Sequence, residues 1–153
     1  MDNQINVGIS GLGRAGWGIH ATTLGFLDEL YRVRAVCDPE QDRLREAAER
    51  FNCNTYAEYR DFVADENLEL VVLATPTHLH SSDSIAALRS GKHVVVEKPM
   101  ASDLKGADDM MAVAADAGKI LTVHQNKRFQ ADVKKALEVI ATGVLGRIVE
   151  IRA

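Results

Sequence analysis

The chain has 153 residues, of which 46% are hydrophobic and 26% charged, with a formal net charge of -4. That is enough for one globular domain with its own core. Without a basic surplus to neutralise phosphates, we expect no nucleic-acid partner. No apolar run reaches the length of a membrane span, and the first residues lack a signal-peptide pattern. We therefore expect no membrane partner and a cytoplasmic location.

The two cysteines, Cys37 and Cys53, show no spacing typical of a metal or redox site. Both lie among apolar residues, and buried free thiols are the ordinary state of such cysteines in a reducing compartment. We expect them to be free and buried, and no metal site is predicted.

Five short runs rich in Val, Ile and Leu predict β-strands. They cover residues 5–10, 32–37, 69–74, 93–97 and 119–124. None alternates cleanly between apolar and polar residues, which is typical of strands covered on both faces, as in a parallel sheet.

Amphipathic helical patterns lie between these runs. Three stripes with helical spacing are Leu44, Ala47, Ala48 and Phe51; Leu104, Ala107, Met111 and Ala114; and Val133, Ala136, Leu137 and Ile140. Pro39 and Ser102 stand near expected helix starts, and Gly91 and Gly143 near expected helix ends. The alternation predicts a single three-layer α/β domain with a doubly wound parallel sheet of the Rossmann type. In this fold, ligands bind at the carboxyl ends of the strands.

The last residues have a different character. After a turn over residues 143–146, the segment 147–153 (RIVEIRA) begins a new strand-like run. We interpret residues 1–146 as the domain and 147–153 as the first strand of, or a linker toward, a substrate domain absent from this chain. The alternative is a short edge strand or a frayed terminus.

A glycine-rich turn follows the first predicted strand and opens a helix. The motif is Gly11, Leu12, Gly13, Arg14, Ala15 and Gly16. In a dinucleotide-binding turn, the first glycine permits the tight turn, the second lets the backbone approach the pyrophosphate, and the third allows close helix packing. The pyrophosphate then lies on free N–H groups at the helix N-terminus. The alternative is a glycine-rich turn with no ligand.

Asp38 ends the second predicted strand, 22 residues after Gly16. Dinucleotide-binding domains place a carboxylate about 20 residues on, where it accepts hydrogen bonds from the adenosine ribose. It would repel the 2′-phosphate of NADP, and the nearest arginine is Arg43, so we predict NAD, with NADP possible. The alternative role for Asp38, which precedes Pro39, is a helix N-cap.

Two later strand ends fall on the same edge of the predicted sheet. Residues 74–80 read ATPTHLH, and residues 97–99 read EKP. Lys98 is therefore placed to face a substrate in the cofactor crevice. The alternative is a surface lysine held extended by the following proline.

Taken together, these motifs resemble the N-terminal domain of the Gfo/Idh/MocA family of glucose–fructose oxidoreductases and inositol dehydrogenases. The resemblance covers essentially the whole chain. Its marks, in order, are GLGRAG, CDP, ATPTHLH, GKHVVVEKPM, HQNKRF and GVLGRIVEI. The GKHV phrase ending in EKP is far more specific than the glycine turn.

The resemblance implies roles that residue patterns do not show. It makes Lys98 the catalytic lysine beside the nicotinamide, and it places Glu97 along the cofactor near the nicotinamide ribose. Further cofactor-binding positions that it implies are Thr75, Pro76 and His80 in the nucleotide cleft, and Asn126 and Arg128 at the nicotinamide end. His78 is expected in a loop.

In the family, a second domain binds the substrate and supplies an Asp and a His to the lysine. We therefore expect the full-length protein to transfer hydride between a nicotinamide cofactor and a secondary alcohol or ketone of a sugar or polyol. This chain alone is expected to be inactive, and homo-oligomers would form through the missing domain. His93 and His124 are not expected to replace the missing base. The alternatives are a dinucleotide-sensing regulatory protein of the same fold and an NAD-dependent glycosidase.

Overall fold

A computed structural model describes residues 4–152. Its centre is a parallel sheet of six strands in the order β3-β2-β1-β4-β5-β6. The strands are β1 Ile5–Ser10, β2 Tyr31–Cys37, β3 Asn54–Tyr56, β4 Leu70–Leu73, β5 His93–Val96 and β6 Leu121–Val123. This is the strand order of the doubly wound dinucleotide-binding fold, so the predicted fold class is confirmed.

Helices connect the strands and cover both faces of the sheet. A π-helical segment, Gly16–Ala21, runs directly into α1, Thr22–Phe26. The other helices are α2 Gln41–Phe51, α3 Tyr59–Val63, α4 Thr77–Arg89, α5 Leu104–Ala117 and α6 Ala131–Ala141, with a 3-10 helix at Asn126–Phe129 before α6. None of the helices within residues 4–152 is long and apolar enough to cross a membrane.

Two hydrophobic clusters form the core, one on each face of the sheet. On one face, Val71 and Val94 pack with Met110 of α5. On the other face, Ile9 and Val72 pack with Leu44 of α2. Because both faces are covered, the strands show the unbroken apolar runs that identified them in the sequence.

Several boundaries differ from the sequence-based expectations. The short strand β3 was not predicted, and no strand forms over residues 147–152, while Ala153 lies outside the described residues. His78, expected in a loop, lies in the first turn of α4. Asp103 rather than Ser102 caps α5, because its Oδ1 accepts a hydrogen bond of 2.7 Å from the N–H of Gly106.

Strand order reverses at the centre of the sheet. The chain steps outward from β1 to β2 and β3, then returns to pair β4 against the other side of β1. The connections after β1 and β4 therefore leave the sheet on opposite faces and open a crevice between them, where this fold binds its ligand.

Candidate active site: the cofactor cleft and the Glu97 cluster

The three glycines of the turn have different surroundings. Gly11 has a φ of +86°, and a Cβ there would stand 2.6 Å from the carbonyl oxygen of Ala74. At Gly16, a Cβ would stand 1.7 Å from the carbonyl oxygen of Gly11. Around Gly13, no atom of residues 4–152 other than those of its chain neighbours lies within 4 Å of the Cβ position. Packing therefore requires Gly11 and Gly16, whereas Gly13 leaves its space open to a ligand.

The residues between the glycines contribute mainly their backbone. The Leu12 side chain is buried, and its N–H donates a hydrogen bond of 2.6 Å to Oδ2 of Asp38. Arg14 is exposed, and Ala15 is half-buried at the first helical turn. The turn is thus tied to the end of β2 by a charged acceptor, which makes the hydrogen bond stronger than a neutral one.

Asp38 is almost fully buried and serves as an anchor between elements. Its Oδ2 accepts the hydrogen bond from Leu12. Its other oxygen, Oδ1, accepts a hydrogen bond of 2.9 Å from the N–H of Glu40 and lies 3.3 Å from Nη1 of Arg43. Helix α2 starts at Gln41 with Glu40 in the N-cap position. The alternative of Asp38 as a helix N-cap is therefore wrong, because the helix starts too late.

A cleft of about 540 Å³ lies over this anchor, and we call it the cofactor cleft. Its walls include five predicted residues, Gly11, Gly13, Asp38, Thr75 and Pro76. They also include residues that sequence analysis did not single out as contacts, chiefly Tyr59, Leu79, Asp83 and Arg43. Tyr59 lies on a helix of five residues, too short to leave a periodic pattern.

Two polar groups on the cofactor cleft wall share a hydrogen-bond network. The Tyr59 hydroxyl donates to the carbonyl oxygen of Asp83 at 2.7 Å, and the Thr75 hydroxyl donates to the Asp83 carboxyl at 3.5 Å. Burial raises the pKa of Asp83, and it also raises the pKa of Tyr59. The Tyr59 phenol therefore stays protonated and presents a neutral surface.

His80 does not lie where the resemblance predicted it. Its side chain is fully buried, and the ring nitrogens lie 2.8 Å from the carbonyl oxygens of Thr75 and Pro99. The ring therefore joins the turn after β4 to the segment after β5, and it is not among the residues that line the cofactor cleft.

Glu97 and Lys98 follow β5 at the carboxyl edge of the sheet. The Lys98 side chain is exposed, while its N–H donates a bond of 3.2 Å to Oε2 of the buried Glu97. The carboxylate of Glu97 thereby helps to hold the backbone of the lysine.

Two histidines contact the other oxygen of Glu97. Nε2 of His20 lies 3.0 Å from Oε1, and Nδ1 of His124 lies 2.7 Å from it. The two imidazole ring centroids are 4.5 Å apart. We call these three residues the Glu97 cluster. They come from the π-helical segment, the end of β5 and the end of β6.

The charges of the Glu97 cluster follow from its burial and hydrogen bonds. Burial acts to raise the pKa of Glu97, but the bonds from His124 and His20 outweigh it and hold the pKa below its usual value. Burial also lowers the pKa of His20. At neutral pH the cluster therefore contains an ionised carboxylate beside a neutral His20.

His20 is the cluster residue that sequence analysis missed. The only signal was its position one helical turn after Gly16, which places it near the same edge of the sheet. The possible ligand atoms of the three residues lie within 4.8 Å of one another, close enough to consider a metal ion. Residues so far apart in sequence show no metal-binding spacing, so this question arises only from the fold.

Asn126 and Arg128 lie on the 3-10 helix after β6, with exposed side chains. The Arg128 guanidinium stacks over the ring of Phe129, with 5.7 Å between its Cζ and the ring centroid. Both residues stand at the carboxyl edge of the sheet, and their contact with a nicotinamide stays a prediction.

Together, the strand order, the open Gly13 and the buried Asp38 define a dinucleotide-binding domain of the Rossmann class. Residues 5–125 match the Gfo/Idh/MocA family, described as an oxidoreductase family with an NAD-binding Rossmann fold. The chain belongs to this family, as its motifs predicted.

Similar proteins agree with this assignment. The chain is 33% identical to a myo-inositol 2-dehydrogenase of Thermotoga maritima over 94% of its own length and 42% of that protein's length. It is also similar in structure to the WlbA dehydrogenase of Bordetella pertussis in complex with NADH and UDP-GlcNAcA. That match has 29% identity and a TM-score of 0.89, covering 97% of this chain and 44% of the other.

A third match binds the other cofactor. KijD10, a 3-ketoreductase from Actinomadura kijaniata in complex with NADP, superposes with a TM-score of 0.88 at 28% identity, over 95% of this chain and 46% of that one. The chain thus spans less than half the length of these relatives.

Proposed function

We propose that residues 1–146 are the nucleotide-binding domain of a longer oxidoreductase. The whole enzyme would transfer hydride between NAD(H) and a secondary alcohol or ketone of a sugar or polyol. The observation that carries this proposal is the free space around Gly13 on the cofactor cleft, directly beside the buried Asp38. The names of the similar dehydrogenases support the substrate class, and residues 147–153 would lead into the substrate domain.

The described residues fit a dinucleotide laid along the carboxyl edge of the sheet. The pyrophosphate would lie against the backbone of Gly11 to Gly16, and Asp38 would accept hydrogen bonds from the adenosine ribose. Thr75 and Pro76 would line the middle of the cofactor cleft. Further along the edge, Glu97, Asn126 and Arg128 would surround the nicotinamide end.

At that end, Lys98 would carry the chemistry present in this chain. The nicotinamide supplies or accepts the hydride when it is bound. The exposed ammonium of Lys98 would donate a hydrogen bond to the reacting oxygen and stabilise the negative charge that develops on it. The hydrogen bond from its backbone N–H to Glu97 would restrict where the side chain starts.

We infer a preference for NAD over NADP. The buried carboxylate of Asp38 would repel a 2′-phosphate, and Arg43, which could bind that phosphate, is already paired with Asp38. We further propose a cytoplasmic enzyme with neither nucleic-acid nor membrane partners, and oligomers that form through the second domain.

Calorimetric titration of this chain with NADH tests the binding site. The wild-type chain should bind, and Gly13→Val should abolish binding while the circular dichroism spectrum and melting temperature stay unchanged, since the new side chain enters only the cofactor cleft. Gly18→Val is a matched control, because Gly18 also has free space around its Cβ position but does not line the cleft. Undisturbed binding in Gly13→Val would contradict the assignment.

Activity requires the full-length protein. Lys98→Ala should lower turnover of a polyol substrate by about 10²-fold or more, with little change in NADH affinity. Normal turnover in this variant would remove Lys98 from the mechanism. A full-length protein that binds NADH but oxidises no polyol or sugar would instead support the regulatory alternative.

A further inference from the structure

The wall of the cofactor cleft carries a second buried carboxyl besides Asp38. Asp83 lines the cofactor cleft and is only 8% exposed. We propose that Asp83 recognises the base of the dinucleotide by accepting a hydrogen bond from the exocyclic amino group of adenine. It thereby selects adenine over bases with a carbonyl oxygen at that position. This role rests on the proposed function and adds a specificity-determining residue to the same cleft.

The Asp83 carboxyl receives only weak hydrogen bonds from its own chain. Its oxygens accept from the Thr75 hydroxyl at 3.5 Å and from the Ser82 hydroxyl at 3.3 Å, both longer than the usual value of about 2.8 Å. Ser82 has a single hydroxyl proton, and its oxygen lies closer, at 3.0 Å, to the carbonyl oxygen of Leu79. An ionised carboxylate can accept about four hydrogen bonds, so Asp83 has room for a further donor.

No cation of the described chain is paired with Asp83. Every ion pair within residues 4–152 joins other residues, and no Lys, Arg or His nitrogen there lies within 4.0 Å of the Asp83 carboxyl oxygens. Burial raises the pKa of Asp83 as a result. A buried carboxylate without a close partner costs free energy unless a donor meets it. In a ligand cleft, the ligand itself can supply that donor.

The order of groups in a dinucleotide directs its base toward Asp83. In the proposed binding mode the pyrophosphate lies on the glycine turn and the adenosine ribose on Asp38, so the base continues into the rest of the cofactor cleft. The walls there include Ala57, Tyr59, Leu79 and Asp83. Leu79 and Asp83 are four residues apart on α4 and so share one face of the helix. The apolar side chains suit the faces of a purine, and the carboxyl suits its polar edge.

Asp83 is connected to both ends of this path. The backbone nitrogen of Thr75 lies 2.9 Å from the Cβ position of Gly11, and the Thr75 hydroxyl is the one that donates to Asp83. On the side of β2, burial raises the pKa of Cys37 to about 11, and the charges of Asp38 and Asp83 both add to this effect. The Asp83 carboxyl is therefore near both the glycine turn and Asp38, between which the adenosine would lie.

The chemistry of the two groups gives the selection its direction. The amino group of adenine has two N–H donors and a carboxylate only accepts, so the two are complementary. In hypoxanthine, a carbonyl oxygen replaces the amino group, and two acceptors would then face each other in a buried position. Both the lost hydrogen bond and the repulsion weaken binding. The ribose, pyrophosphate and nicotinamide contribute equally to either dinucleotide.

Calorimetric titration of this chain with NADH and with deamino-NADH, which carries hypoxanthine in place of adenine, tests this role. Deamino-NADH should bind about tenfold or more weakly. In Asp83→Asn, the ratio of the two dissociation constants should fall to within about twofold, because an amide can accept from an amino group and donate to a carbonyl oxygen. A merely structural role for Asp83 would change both affinities together and leave their ratio unchanged.

Two further variants serve as controls. Asp65→Asn changes another aspartate that is 8% exposed but is not among the residues that line the cofactor cleft, and it should keep the wild-type ratio. Asp38→Ala should weaken the binding of both dinucleotides by the same factor, since they share the ribose.

Equal affinity of the wild-type chain for NADH and deamino-NADH would overturn the role of Asp83 and leave the proposed function intact. A wild-type ratio in a folded Asp83→Asn chain would do the same. The first comparison needs no variant, so it decides even if Asp83→Asn does not fold. A wild-type chain that binds neither dinucleotide would refute the proposed function, and the role of Asp83 with it.

Discussion

The two regions at the carboxyl edge of the sheet, the cofactor cleft and the Glu97 cluster, depend on different kinds of chemical group. In the cofactor cleft, the decisive features are backbone positions, namely a tight turn at Gly11, an open position at Gly13 and an N–H held by Asp38. In the Glu97 cluster, they are titratable side chains from distant parts of the chain, since His20 and Glu97 are 77 residues apart. Changes of sequence should therefore act on the first region through steric fit, and changes of pH should act on the second.

The largest expected effect separates two glycines of one turn. Gly16→Ala should destabilise the domain by about 3 kcal/mol or more, because its Cβ would overlap the carbonyl oxygen of Gly11 at 1.7 Å. Gly13→Ala should cost less than about 0.5 kcal/mol, since no atom stands in its way. Urea unfolding of both variants measures the difference. Equal losses of unfolding free energy in the two variants would show that a Cβ at position 16 does not meet the carbonyl oxygen of Gly11.

The next effect concerns pH and the Glu97 cluster. In the folded chain, the pKa of His20 is lowered from its ordinary value of 6.5, and the pKa of Glu97 is lowered from its ordinary value of 4.5. Because the unfolded chain binds these protons more readily, stability should be highest above pH 6.5. It should fall first through His20 and then, below 4.5, through Glu97.

His20→Gln isolates the upper part of this pH dependence. Unfolding free energy measured by urea titration should fall less steeply between pH 6.5 and 4.5 in the variant than in the wild-type chain. An identical slope in the two proteins would mean that His20 titrates normally in the folded state. The Gly13→Ala chain, altered only in the cofactor cleft, should keep the wild-type slope.

A smaller effect tests cofactor choice in the cleft. Asp38→Ala should weaken NADH binding about tenfold, or about 1.4 kcal/mol, and NADPH binding less, because the lost carboxylate favours only the free ribose. Arg43→Ala should leave NADH affinity within about twofold. Calorimetric titration of each of the two variants with each of the two cofactors measures these changes in affinity. Equal losses for both cofactors would limit Asp38 to holding the Leu12 N–H.

The smallest effect is in thiol reactivity. Burial raises the pKa of Cys37 to about 11, so about one thiol in a thousand is ionised at pH 8. Burial also raises the pKa of Cys53, which is only half-buried. Titration with a disulfide reagent should therefore modify Cys53 first and Cys37 only on unfolding. Simultaneous reaction would show that Cys37 is accessible through the cofactor cleft.

The sequence predicted what depends on local pattern. The first strand was predicted with its observed bounds, and the glycine turn, Asp38 and the edge position of Lys98 followed from strand order. The three-residue strand β3 was missed, because Asn54–Tyr56 is polar and partly exposed at the edge of the sheet. Residues 147–152 have a strand-like composition but no strand to pair with in the described chain.

Side-chain direction was the second limit. His80 and Thr75 share one motif, yet the first turn of α4 buries the His80 side chain while Thr75 lines the cofactor cleft. The contact of His20 and His124 with the same carboxylate oxygen of Glu97 arises only from the fold. No spacing rule along a single chain contains that information.

The π-helical segment Gly16–Ala21 has a further consequence for how this domain tolerates insertions and deletions. The backbone hydrogen bond of a π turn closes over five residues where that of an α turn closes over four, so a π turn holds one extra residue. Deleting one residue between Gly16 and His20 would let the segment close as an ordinary α-helix, and because the π turn had accommodated that extra residue, the helix on either side would keep its orientation. His20 would then still face Glu97, so a one-residue deletion in this segment should be tolerated better than one in the following α-helix, where it would rotate the later residues by about 100°.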